Sequence, residues 1–145
     1  MGIIARCKEE VGISAVDFFS FIHITLGYLI FLAYYGAFDL FFGISFNPYY
    51  FGLNFLAAIL WETIENFILY EIKLKYDHRR DTKINSFMDI LLFYLGGLIG
   101  IYTIFLKLPL FFINTCIVLS STLLITDIYA LKILKPKEHK QATKS

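Results

Sequence analysis

The sequence predicts an all-α integral membrane four-helix bundle with short loops, preceded by an N-terminal helix lying on the membrane surface. Three observations carry that prediction. Of 145 residues, 58% are hydrophobic and 17% charged, whereas a soluble domain has roughly 45–50% apolar and about 25% charged residues. Four apolar runs have the ~20-residue length that crosses a ~30 Å hydrocarbon layer. Twelve of the thirteen Lys and Arg residues also fall on one side of those runs. Such an apolar chain is not disordered, and its length fits a single transmembrane domain over 1–145.

The elements follow in chain order. Ile3, Ile4, Cys7 and Val11 share a helical face, with Arg6, Lys8, Glu9 and Glu10 mostly elsewhere, which predicts the short interfacial helix. Arg6 stands where a myristoylation signal needs Ser or Thr, so Gly2 is a poor lipidation site. The first apolar run lacks a small-residue cleavage site and is expected to stay as an anchor. The first span runs over about Ala15–Tyr35, opened by a Ser14/Asp17 capping box. The second covers about Pro48–Ile72, with Asn47 as N-cap and proline at the first helical position. The charged run Lys73–Lys83 separates it from the third span, about Ser86–Leu106, where Ser86 and Asp89 again have capping-box spacing. The fourth covers about Pro109–Leu131, leaving a tail over 132–145.

Two basic residues precede the first span (Arg6, Lys8), five lie in the central loop and five in the tail; the opposite loops hold none and one (Lys107). The positive-inside rule therefore predicts that both termini and the central loop are cytoplasmic. A formal net charge of +1 gives no field for nucleic acid. Cys7 and Cys116 lack a CxxC or His-rich companion, which argues against a disulfide framework or zinc finger.

Most of the chain reads as packing. Tyr34, Tyr35, Tyr49, Tyr50 and Tyr129 near span ends suit an interfacial belt. Gly96, Gly97 and Gly100 form a small-residue patch for close helix approach. A few residues resist that reading. Glu62, Glu65 and Asn66 project into one sector of the second span. Counted from Ile72, Glu65 lies ~10 Å and Glu62 ~15 Å deep, and His23 lies ~12 Å into the first span. Each ionised carboxylate at mid-membrane costs roughly 2.5–3.5 kcal/mol. Asp89, with Asn85 one turn before it, enters the third span from the same side, and Asp127 approaches it on the fourth. The pattern predicts a polar pocket in the cytoplasmic half of the membrane, with an almost wholly apolar outer half. For Asp89 a cap and a site role are both open, Asp17 is expected to cap, and Asp127 to be structural.

His23, Glu62, Glu65, Asn66 and Asp89 together offer hard oxygen donors and one imidazole. That set suits a divalent metal, Mg²⁺, Mn²⁺, Zn²⁺ or iron, better than copper(I). Such an ion would neutralise the acids, grip a lipid phosphate or activate water. Glu62, Glu65 and His23 are the catalytic candidates, and Arg79, Arg80 and Asn85 the candidate headgroup contacts, with inner-leaflet lipid the plain alternative for the basic run. No Glu-x-x-His pair, G-x-S-x-G, HExxH or P-loop occurs, so no reaction is assigned by motif. Two further readings stay open: an accessory subunit of a larger membrane protein complex, and a proton or cation relay.

Trp61-Glu62-x-x-Glu65-Asn66, Asp81-Thr82-x-x-Asn85-Ser86-x-x-Asp89, the glycine-rich stretch after it and His23-x-x-x-Gly27 form a pattern. It resembles that of an uncharacterised family of small polytopic inner-membrane proteins, loosely VanZ-like, with Arg80-Asp81-Thr82 where the family has Gly-Asp-Ser. The resemblance implies a small polytopic fold. It also implies that Glu62, Glu65, Asn66, Asp81, Asn85 and Asp89 belong to one motif.

Overall fold

The structure, a computed structural model, describes residues 2–43, 47–75, 79–106 and 108–134. Four helices dominate it: α1 (Phe18–Phe42), α2 (Tyr49–Thr63), α3 (Lys83–Ile104) and α4 (Leu108–Leu134). A π-helical turn, Ile64–Leu69, continues α2. All four helices are long and apolar enough to cross a membrane. Their outward faces carry exposed Phe55, Leu56, Leu60, Leu95, Ile117 and Leu124, an apolar surface that bilayer hydrocarbon would cover.

The helix boundaries are set by chemistry slightly displaced from the predicted positions. The N-cap of α1 is Asp17 rather than Ser14: its carboxylate accepts from Phe19 and Ser20 N–H, and the Ser20 hydroxyl returns to the Asp17 N–H. The helix runs past Tyr35 because nothing breaks it before Gly43, whose left-handed backbone (φ 59°) ends it. The second helix starts one residue later than expected, at Tyr49 with Pro48 as its N-cap, and Asn47 Oδ1 accepts from Tyr49 N–H at 3.1 Å. Thr82 caps α3 and accepts from Asn85 N–H, so Ser86 and Asp89 lie inside the helix and the proposed Ser86/Asp89 box does not exist. Both side chains are thereby freed for other partners.

α1 packs along α3, with α4 flanking α1 and α2 flanking α3. Glycine makes the central contact possible. A Cβ on Gly27 would lie 1.9 Å from the Phe93 carbonyl oxygen, and one on Gly96 would lie 2.0 Å from that of Ile24. The backbones therefore touch, as the small-residue patch predicted. Gly96→Ala is expected to lower stability by about 1–3 kcal/mol through overpacking, read as a lower melting temperature in detergent. Gly52→Ala, where a Cβ meets open space, should be neutral or stabilising by helix propensity.

Polar groups further along the spans join helices to one another. Thr103 accepts from Asn114 at 2.6 Å, Tyr28 pairs with Thr115 at 2.7 Å, and Thr25 with Thr122. Tyr34 and Tyr35 gather with buried Tyr50 around Phe31, forming a packed cluster at that end of the bundle; Tyr49 stays exposed.

The largest departure from expectation is the N-terminal segment. It is not a helix lying on the membrane but a folded cover over the opposite end of the bundle. Its one helical turn is the 3₁₀ turn Lys8–Glu10, and Ile4 bridges to Val16. The segment folds back because its apolar residues find partners in the bundle: Ala5 and Val11 pack with Phe18 and Ile133, while Ile3 and Ile4 stay exposed. Hydrogen bonds fasten it. Tyr129 donates to the Ala5 carbonyl, Thr82 N–H to Gly12 O at 2.9 Å, and the Thr82 hydroxyl to Ile13 O at 3.0 Å. The N-terminal segment, the central loop and the end of α4 thus share one end of the molecule.

Candidate functional site

Beneath this cover, α1, α2 with its π turn, α3 and the central loop enclose a cluster of ionisable side chains. His23 comes from the second turn of α1 and is buried. Its Nδ1 lies 3.0 Å from the Phe19 carbonyl. A carbonyl can only accept, so Nδ1 carries the hydrogen and the ring is fixed with Nε2 turned inward. There Nε2 lies 3.2 Å from Glu65 Oε2 and 3.8 Å from Glu62 Oε2, and Asp89 Oδ1 stands 3.9 Å from Nδ1. Glu62 is 6% exposed and Asp89 2%. Glu62 Oε2 and Asp89 Oδ1 have no hydrogen-bond partner among the described residues. Two overlapping groups, His23–Glu62–Glu65 and Glu62–Asp81–Asp89, bring their ligand atoms within 4.8 Å of one another. These groups are close enough to hold a metal ion.

Asn66 organises the acids. Its side-chain NH₂ donates to Glu62 Oε1, to the Glu62 carbonyl at 3.3 Å and to Ser86 Oγ at 3.3 Å. Its Oδ1 accepts from Lys75 Nζ at 2.7 Å and from Asp81 N–H at 2.9 Å. With Oδ1 taken twice, Asn66 positions the carboxylates rather than offering a ligand oxygen. The amide inserted at the Glu62 carbonyl sits where the π turn opens, and side chains entering the helical ladder accompany such turns.

Lys75 is the residue that sequence reasoning missed. It belongs to the basic run, yet it is 8% exposed. After the π turn the chain doubles back, with Lys73 at φ 59° and the Leu74 and Lys75 N–H groups both donating to Leu69 O. That turn drives the lysine inward onto Asp81 and Asn66, with Glu65 Oε1 at 3.6 Å. Burial pushes the Asp81 carboxyl above the usual carboxylate range, against the pull of the Lys75 ammonium. Four carboxyl groups (Glu62, Glu65, Asp81, Asp89) thus share one buried ammonium and one imidazole.

The remaining predicted residues separate. Arg79 reaches the cover, donating to Glu9 O at 3.2 Å. Arg80 turns to the other side, pairing with Glu71 at 3.2 Å and lying over Tyr70, 4.5 Å from the ring centroid. Asn85 is buried and its amide lies 3.5 Å from Ala15 O, so it ties the cover to α3. Asp127 does not join the cluster: it is exposed on α4, and α4 contributes none of these side chains. The tail lysines that could pair with it beyond Leu134 lie outside the described residues.

Two cavities flank the acids. One, about 280 Å³, lies under the cover and is bounded by Gly12, Lys75, Arg79, Glu65 and Asp89. The other, about 450 Å³, lies between α2 and α3 and reaches Glu62, Asn66 and Ser86 from the side. Asp81 borders both, so the polar cluster is the partition between a chamber at the end of the bundle and a groove on its flank.

No protein-family model matches the chain, and neither curated proteins nor solved structures show a detectable match to it.

Proposed function

We propose that the protein holds a divalent metal ion among His23, Glu62, Glu65, Asp81 and Asp89, and presents it as a Lewis acid to a phosphate-bearing lipid headgroup. The observation that carries this reading is the histidine. With Nδ1 committed to a backbone carbonyl, Nε2 faces two carboxylates, the arrangement of an imidazole oriented by an outer hydrogen bond toward a cation. The unpartnered Glu62 Oε2 and Asp89 Oδ1 support it, since a buried carboxyl oxygen without a donor is costly. The hard-oxygen set with one imidazole favours Mg²⁺, Mn²⁺, Zn²⁺ or iron. The bound ion would supply charge neutralisation and polarise a phosphoryl oxygen. The bias of Lys and Arg toward this end supports its placement on the cytoplasmic side. That Glu62, Glu65, Asn66 and Asp81 meet Asp89 in space supports reading these motif residues as one unit. Metal analysis of the purified protein, before and after chelation, is the direct test.

A second reading, an accessory subunit, draws on Asp127. It stands on the outward face of α4 among exposed Leu123, Leu124, Ile128 and Leu131, where a carboxylate in lipid is unfavourable and a partner helix with a donor would offset it. On this reading a fixed partner accompanies the protein through mild-detergent purification and is lost in Asp127→Asn; a solitary, stable protein counts against it.

A further inference from the structure

We propose that the groove between α2 and α3 seats an anionic phospholipid of the adjoining leaflet, its phosphate at Arg80 and Lys83 and its chains descending along Phe67, Phe87, Ile59 and Ile90. The groove is graded from charged to apolar along its length. Arg80 and Lys83 stand at its mouth, beside the first turn of α3. Phe87 and Ile90 follow one and two turns deeper, about 6 and 10 Å below Lys83. On the facing wall Phe67, Thr63 and Ile59 recede in the same direction. A cationic rim above an apolar lane complements an amphiphile with a negative head, and about 450 Å³ lies within the usual range for small-molecule sites.

Arg80 is poised for such a ligand. Its guanidinium lies over the Tyr70 and Phe67 rings, at 4.5 and 5.5 Å from their centroids, so its plane is already held at the groove edge. Its ion pair with Glu71 joins two well-exposed side chains, and pairs of that kind contribute little, so exchanging Glu71 for a phosphate is cheap. Glu62 and Asp81 line the inner wall and would repel a phosphate in the absence of a cation. At that end of the groove the inference rests on the metal reading; at the rim it stands on Arg80 and Lys83.

The test uses full-length protein in nanodiscs of equal phosphatidylglycerol and phosphatidylcholine, with retained lipid identified by native mass spectrometry and metal content measured on the same samples. Each cation near the surface favours anionic lipid roughly fivefold, so the wild type should retain phosphatidylglycerol over phosphatidylcholine by up to about 30-fold. Arg80→Ala with Lys83→Ala should abolish that preference, and Ile90→Trp should displace the retained lipid altogether. The charge-matched control, Lys73→Ala with Lys132→Ala, removes two exposed cations outside the groove and should leave the preference intact. An equal loss in the control would show general surface attraction and overturn the proposal, as would a wild type without preference. A preference that persists in protein containing no metal would sustain the groove and remove the metal reading. Metal retained in Arg80→Ala/Lys83→Ala while the preference disappears supports both.

Discussion

Replacing Lys75 by methionine is expected to cost about 3–5 kcal/mol of stability, the usual penalty for removing one partner of a buried ion pair. The ammonium contacts Asp81 and Asn66 and stands 3.6 Å from Glu65. Methionine fills the same volume without the charge, so the loss is electrostatic rather than steric. Asp81 would then be buried with its backbone N–H bond to Asn66 intact but no counter-charge from the loop. Adding Asp81→Asn should recover part of the loss, because the orphaned charge goes with it. Thermal unfolding in detergent reads both. A Lys75→Met protein melting with the wild type would show that the lysine is solvated and that Asp81 does not depend on it.

Glu62→Gln with Glu65→Gln should have the opposite signature. Altering groups that merely orient ligands weakens metal affinity about 10–100-fold, so losing two direct carboxylates should exceed that and leave the purified protein without its ion. Stability in the metal-free state should change little, since the roughly 2.5–3.5 kcal/mol cost of each buried carboxylate at depth offsets the lost Glu65 pairing with His23 and Lys75. Wild-type protein that carries no divalent metal, and is as stable with chelator as without, would falsify the metal reading. Loss of metal in the double variant with stability preserved is the result that separates a ligand role from a scaffold role.

The spans were legible because hydropathy is a one-dimensional property. Glu62, Glu65 and Asn66 were legible for a related reason: helical spacing fixes their common face, and depth makes the acids costly. His23 was readable as a neighbour only by depth, and the fold supplies the contact. Lys75 was not readable, because a lysine in a basic loop has every reason to be solvated; its burial follows from a backbone reversal at Lys73 and a cover that arrives from the far end of the chain. The cover itself was misread because Ile3, Ile4, Cys7 and Val11 satisfy a helical pattern. What that pattern omits is Gly12, held at φ 74°, where a Cβ would meet Asp81 Oδ1 at 2.8 Å. Ser86 and Asp89 show the converse error: capping spacing is also the spacing of two residues on one inward helix face, and Thr82 had the stronger claim on the helix start.

The π turn at Ile64–Leu69 has a consequence for how this chain tolerates insertion and deletion. A regular helix advances about 100° per residue, whereas a π turn, closed by i→i+5 bonds, takes one extra residue into nearly the same sweep. Deleting any one residue between Ile64 and Leu69 would let the helix close into an ordinary ladder, at a gain in backbone regularity. Leu69 and the reversal that follows would keep nearly the same angular place, while the opening that admits the Asn66 amide to the Glu62 carbonyl would close. The extra residue in this short stretch therefore serves the bonding of Asn66 and leaves the approach of Lys75 as it is.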